Sequence, residues 1–396
     1  MGLVNVKELN YKRIIKVIRE QGPISRIDIS ALTNIPQPTI TRITEELIGD
    51  GIIMENGSVP SARGRRPVQL VFNRDCFFSI GIQLSRSRVK VAIMNMEGDA
   101  LALRHRYDTR AMPFGEVMQF VHRAVDQVIA EAAVAPKLVL GIGVVVPGPL
   151  DETEEGEVSP PDFYGQSRIP LRRLLHEAHH LPVMMDNNAN AAAIAEKWFG
   201  KGIGRKHFMT VLAENGIGSG LIVSDHLLRG DTGEAGVIGH TTIDYAGERC
   251  SCGNYGCVET FVSIRQIEEN VRRKLKLAPG EERERFPADL DALAFADIVL
   301  ALEQGSALCE QAMREAGSYL GIGIANAVNL LNPEAIILSG KLGTATPILA
   351  KAVQETIRAR VLSAKGKRTP VEVSELENAI VLGAGALVID DTFSFF

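Results

Sequence analysis

Four side chains with soft-metal chemistry fall within one short stretch: His240, Cys250, Cys252 and Cys257. Their H-x9-C-x-C-x4-C spacing offers one imidazole and three thiolates, a set that suits tetrahedral Zn²⁺ and fills every position, as in a structural site. With no position left for water, catalysis by the metal is not expected. The chain has five cysteines, an odd number, and three of them cluster. In a cytosolic protein that pattern reads as metal ligation sooner than disulfide bonding. Cys76 and Cys309 lack comparable partners and read as small core residues.

A second chemistry lies near the N-terminus. Gln37, Thr39, Thr41 and Arg42 are residue types that reach base edges or phosphates, and they share one short segment. Downstream, Ser61-Ala62-Arg63-Gly64-Arg65-Arg66-Pro67 sets three arginines around a glycine. Arg63, Arg65 and Arg66 have no core to fill, and Gly64 allows a close backbone approach. Arginines on such an arm enter A·T-rich minor grooves, where the negative potential is strongest.

The elements needed to position these residues are legible. Leu9, Ile14, Ile15 and Ile18 recur at helical spacing from Asn10, read as an N-cap, to Gly22-Pro23. Ser25 and Asp28 have capping-box spacing and open a second helix bearing Ile27, Ala31 and Leu32. Thr33-Asn34 is a turn. Pro36 and Pro38 then bracket the start of a third helix, whose buried stripe is Ile40, Ile43 and Leu47. An apolar strand (Ile52–Met54), a turn at Asn56-Gly57 and a return strand (Val68–Phe72) complete a winged helix-turn-helix, whose third helix would lie in the major groove. The helices alone also fit a three-helix interaction module; the arginine arm favours DNA.

The net charge of −5 excludes a protein that coats nucleic acid with its whole surface. Residues 1–75 nevertheless carry eleven Lys or Arg against eight Asp or Glu, leaving −8 for the rest. A basic head on an acidic body suits local DNA binding. No apolar run reaches the roughly 18 residues of a membrane span, and the N-terminus resembles no signal peptide, so a cytoplasmic chain is expected. With 396 residues, two or three domains are expected.

Beyond Phe78 the texture is α/β. Ser79–Leu84 and Val89–Asn95 read as a hairpin, followed by a turn at Glu97-Gly98, a helix over Phe114–Ala133 and a strand over Leu138–Val146. Pro182–Met185 is a strand leading through Asp186-Asn187-Asn188-Ala189-Asn190 into a helix over Ala191–Phe199. Met209–Leu212 and Gly220–Val223 flank a glycine loop, Ala335–Ser339 is a strand closed by Gly340, and a last helix starts at Gly383-Ala384-Gly385. Strands ending in glycine loops fit a twisted sheet that cradles a ligand.

The segments PGP, DNNAN, ENGIGSG, GHTTID, the cysteine cluster and ILSG occur in an order that resembles ROK proteins (repressors, open reading frames, kinases). The resemblance covers nearly the whole chain, including the DNA-binding head of that family's regulators of xylose, N-acetylglucosamine and glucose genes. It implies an actin-like, ribonuclease-H-like fold with two lobes and a ligand cleft, and it implies zinc on the same four residues. The expected domains are a winged helix-turn-helix over 1–74, a first lobe over 75–186 with the helix from about 380 to 396, and a second lobe over 187–379 holding the zinc and sugar residues.

Sugar phosphorylation needs a base near the acceptor hydroxyl and backbone N–H groups around the phosphates. Family kinases carry an N-D-A-N motif; here Asn187-Asn188-Ala189-Asn190 places an amide at the base position. Their D-x-G-G-T phosphate motif is replaced by Gln83-Leu84-Ser85-Arg86-Ser87. No catalytic residue is expected. By resemblance, Asn187, Asn188, His240 and Glu259 match sugar-holding positions, although the family's glutamate in G-E-x-G-H is Val237 here. Losing that acceptor weakens sugar binding by about 1–3 kcal/mol, or redirects it toward another sugar or a sugar phosphate. Asn187 and Asn188 also fit a simple helix cap.

The resulting expectation is a homodimeric or larger transcription regulator, most simply a repressor. It would bind a pseudo-palindromic duplex operator and respond to a sugar or sugar phosphate. The alternatives are a sugar kinase with a DNA-binding head, and a regulator controlled by a protein partner without a small-molecule effector.

Overall fold

The computed structural model describes residues 6–58, 67–148, 150, 157–159, 163–166, 168–278, 280–345 and 347–393. The chain forms two compact units: Met1–Val144 with Leu171–Met185 and Ala384–Phe396, and Val145–Pro170 with Asp186–Gly383.

The first unit begins with α1 (Val6–Gln21), β1 (Ile24–Ser25), α2 (Arg26–Thr33), α3 (Gln37–Gly49), β2 (Ile53–Ser58) and β3 (Val68–Phe72). These make a winged helix-turn-helix whose small sheet runs β1-β3-β2. Ser25 caps α2, its Oγ accepting from Asp28 N and donating to the Asp28 carboxylate, as the spacing predicts. Ile14, Ile18, Ile29, Ile40, Ile43, Leu47, Ile53 and Leu70 form the buried core. Two expectations need correction. Asn10 lies inside α1, which already runs from Val6, so it is not the N-cap. Asn56-Gly57 lies within β2 at a register irregularity, where Gly57 takes φ +63°, so it bulges the strand and does not reverse it.

The same unit continues with β4 (Phe78–Leu84), β5 (Arg88–Asn95), β6 (Ala100–Tyr107), α4 (Phe114–Ala132), β7 (Val139–Val146), α5 (Leu171–His179) and β8 (Val183–Asn187). The sheet order is β6-β5-β4-β7-β8. Gly143 in β7 is required by close packing, since a Cβ there would lie 1.7 Å from Ala384 O in the C-terminal helix. That helix spans Ala379–Phe393 and so begins before Gly383. Gly383 and Gly385 serve contact inside it: a Cβ at 383 would meet Ala191 O, and one at 385 would meet Met94.

The second unit holds α6 (Asn188–Phe199), β9 (Phe208–Ala213), β10 (Ile217–Val223), β11 (His226–Leu227), α7 (Glu259–Val262), α8 (Ile264–Leu275), α9 (Gly280–Arg283), α10 (Phe295–Glu303), α11 (Ala307–Leu331), β12 (Ala335–Ser339), α12 (Gly340–Ala345), α13 (Pro347–Arg360) and β13 (Val371–Val373). Its sheet order, β11-β10-β9-β12-β13, repeats that of the first unit. In both, three antiparallel strands in hairpin succession are extended on the far side by two later strands, the arrangement expected of a ribonuclease-H-like pair. The core of this unit gathers β9, β10 and β12 with α8, α10, α11 and α13 around Val211, Ile267, Leu320, Ile336 and Val353.

Candidate functional site

The soft-metal residues converge. His240 ends a single helical turn (Ile238–His240), and the chain then runs through loops tied by bridges between Thr242 and Cys257 and between Arg249 and Tyr255. Gly256, at φ +61°, allows this crossing, since a Cβ would lie 1.5 Å from Asp244 O. One ligand atom from each of His240, Cys250, Cys252 and Cys257 lies within 4.8 Å of the others. His240 Nδ1 is 3.5 Å from Cys250 Sγ, and Cys252 Sγ is 3.7 Å from Cys257 Sγ. A tetrahedral ion with Zn–S of about 2.3 Å and Zn–N of about 2.0 Å sets sulfurs about 3.8 Å apart and sulfur about 3.5 Å from nitrogen. The four residues therefore fit a metal such as zinc. Burial and the neighbouring thiols push the Cys257 thiol up to about 12. None of the five cysteines is disulfide-bonded; Cys76 and Cys309 are buried singly, and burial raises both thiols.

The residues matched to sugar contacts surround the start of β10. Ala189, at the head of α6, packs on Gly218; Ser219 N donates to Gly236 O; Gly239 lies against Ile217; and Ile217 N donates to Glu259 Oε2 at 2.9 Å. One strand end thus brings the Asn187–Asn188 turn, the His240 turn and Glu259 into a single neighbourhood. Asn187 caps α6, its Oδ1 accepting from Ala189 N and Asn190 N at 2.9 Å each. Asn188 Oδ1 is buried and has no hydrogen-bond partner. His240 turns Nδ1 toward the cysteines, which leaves Nε2 for another partner. Val237 is partly exposed beside this turn.

Sequence reading missed Asp186 and Arg229. Asp186 is almost fully buried; Oδ1 accepts from Asn187 N and Asn190 Nδ2, and Oδ2 accepts from Arg229 Nε and Nη2. With four donors its carboxylate has no lone pair left for a substrate proton. Only the long-range arrival of Arg229, 43 residues away, reveals this role.

At the β4–β5 hairpin, Ser85 N donates to Arg88 O, closing a two-residue loop at Arg86-Ser87. Gln83 is buried, with its amide donating to Ser85 Oγ at 3.3 Å.

On the head, Gln37, Thr41 and Arg42 lie exposed on α3 and Thr39 is half-buried. Arg42 Nη1 is held by Glu46 Oε1 at 2.7 Å, one turn along. Glu45, overlooked from sequence, shares the exposed face. Arg26 braces the helix pair, Nε donating to the buried Thr44 Oγ1 at 2.9 Å and Nη2 to Glu55. Arg63, Gly64, Arg65 and Arg66 lie outside the described residues.

A ROK family profile matches residues 79–391, and a winged helix-turn-helix DNA-binding profile matches residues 11–54. The chain is 33% identical to the xylose repressor of Caldicellulosiruptor bescii over 98% of both chains. It is 30% identical to an N-acetylglucosamine repressor of Escherichia coli over 97% of this chain and 93% of the other. A solved ROK family transcriptional regulator, a homologue of the Escherichia coli MLC protein, superposes with a TM-score of 0.79 at 29% identity, covering 98% of this chain and 97% of that one. Two sheets of matching strand order, a DNA-binding head and full-length similarity agree: the chain belongs to the ROK family.

Proposed function

We propose that this protein is a sugar-responsive DNA-binding repressor of carbohydrate genes. The observation that carries the reading is Asn188: an amide at the kinase base position, its Oδ1 buried without a partner. An amide cannot take a proton from a hydroxyl, but it can accept a hydrogen bond from one. The site is thereby suited to holding a sugar and unsuited to activating it, and the saturated Asp186 carboxylate offers no substitute base. Asn187, Asn188, His240 and Glu259 would contact the sugar or sugar phosphate, and Zn²⁺ on His240, Cys250, Cys252 and Cys257 would hold the loop that presents His240. When bound, the ion supplies structure and no chemistry to the ligand. Gln37, Thr39, Thr41 and Arg42 would read the operator, with Arg63, Gly64, Arg65 and Arg66 contacting the minor groove or phosphates. A cytoplasmic homodimer on a pseudo-palindromic site completes the reading; among the described residues no helix is long and apolar enough to cross a membrane.

The test is a gel-shift titration against the chain's own upstream region, with and without xylose, glucose, N-acetylglucosamine and their phosphates. One compound should release the DNA. Binding indifferent to sequence would overturn the DNA assignment, and indifference to every sugar would favour control by a protein partner. ATP turnover with any of these sugars, improved by Asn188→Asp, would restore the kinase reading.

A further inference from the structure

Helices α11 and α13 run side by side in the same direction, since Gly317 lies against Leu349 and Ala352, and Gly321 against Thr356. Both therefore end at one edge of the second unit. There Leu362 N donates to Asn329 Oδ1 at 3.0 Å, and Gly366 sits against Val361 and Val328. Arg358, Arg360, Lys365, Lys367 and Arg368 surround this junction, all exposed. Residues 356–370 hold these five cations and no acid, which leaves −10 for the remainder of a chain whose net charge is −5. None of the ion pairs among the described residues involves any of the five.

Paired helix C-termini favour cations in the last turn, which accounts for Arg358 and Arg360. It does not account for Lys365, Lys367 and Arg368 in the following turn. Nor does it explain the leucines among them: Leu362 is 90% exposed and Leu330 is 83% exposed, with Leu331 beside them. The side chains of Leu330 and Leu362 project into solvent.

We infer that this edge docks reversibly on an anionic lipid surface, Leu330 and Leu362 entering the interface while the five cations face lipid phosphates. Charge and shape together select this occupant. A second copy packed across a two-fold axis would set five cations against five. Duplex DNA would satisfy the cations but leave the leucines in water. A protein partner would need a shaped pocket for each knob, whereas a fluid interface deforms around them and supplies the negative charge. Beyond about 8 Å the acidic remainder of the chain is screened, so contact is decided by the patch. The inference does not rest on the effector reading.

The full chain is sedimented with vesicles of phosphatidylcholine alone, and with vesicles in which about one third is phosphatidylglycerol. Binding should be confined to the anionic vesicles and weaken in high salt. Lys365→Ala with Lys367→Ala should weaken it about fivefold per cation. Leu330→Asn with Leu362→Asn should weaken it without changing its salt dependence. Both pairs are exposed, and an unchanged unfolding temperature and operator affinity would show that the variants are folded. Equal binding to both vesicle types, or none, overturns the inference. So does a patch variant that binds vesicles like the wild type, alters the oligomeric state, or loses affinity for a non-operator duplex instead.

Discussion

Cys257→Ser tests the proposed metal centre most directly, because Cys257 is the fully buried member of the four. Between His240 and Cys257 lie sixteen residues, Thr241 to Gly256, which form no helix or strand and are tied by isolated bridges and loop hydrogen bonds. A structural zinc site contributes about 10–16 kcal/mol in small peptides, so losing one of four ligands removes the largest single constraint on this loop-rich stretch. Removing one thiolate should therefore melt the loop locally and leave both sheets intact. Native metal analysis should fall from one zinc per chain to well below one. Hydrogen exchange should accelerate over Ile238–Val258 and not in β9 or β12. Operator binding by the head should persist, while its response to sugar is lost because His240 and Glu259 bracket the melted stretch. A variant that retains a full zinc, or that loses zinc yet keeps an unaltered loop and sugar response, would refute the reasoning.

Gln37→Ala and Thr41→Ala should each weaken operator binding by about 1–3 kcal/mol and relax base preference at one position, read by gel shift against a panel of single-base operator variants. Glu372 accepts both Arg205 Nη atoms, at 2.9 and 2.7 Å, and this pairing holds its carboxyl below the ordinary range. Its folded value is depressed, so its contribution is present above the unfolded value near 4.5 and is lost as pH falls through the folded one. Glu372→Gln should cost about 1–2 kcal/mol at neutral pH and flatten the acid limb of a chemical-denaturation profile. His122 Nδ1 and His179 Nε2 lie 3.0 Å apart, and burial holds both imidazoles below 6.5. The unfolded chain takes up protons first, so stability should decline as pH drops below 6.5, and His122→Asn should reduce that slope in thermal melts. Gly143→Ala should strongly destabilise the first unit, because its methyl would collide with the Ala384 carbonyl; a melting temperature unchanged from wild type would contradict that packing.

The sequence by itself determined what depends on neighbours along the chain. The Ser25 cap, the Pro36–Pro38 helix start and the Ile40–Ile43–Leu47 stripe are local, and each took the predicted form. The convergence of His240, Cys250, Cys252 and Cys257 into a cluster able to hold a metal was legible because soft donors in one short loop have few other uses. The family itself was legible from the order of its glycine and asparagine segments. Tertiary structure decided what depends on distant approach. Gly143, Gly383 and Gly385 fall in a strand and a helix that the sequence anticipates, but only packing shows why each is glycine: the Ala384 backbone, the Ala191 backbone and the Met94 side chain respectively pass too close for a Cβ. The five cations in and just after the last turn of α13 form a patch only because two parallel helices bring their ends together beside exposed leucines. The role of Asp186 is invisible in sequence, since it depends on Arg229 and Asn190 taking up its oxygens. Spacing along a chain fixes which side chains share a face; only packing fixes which electron pairs remain unclaimed.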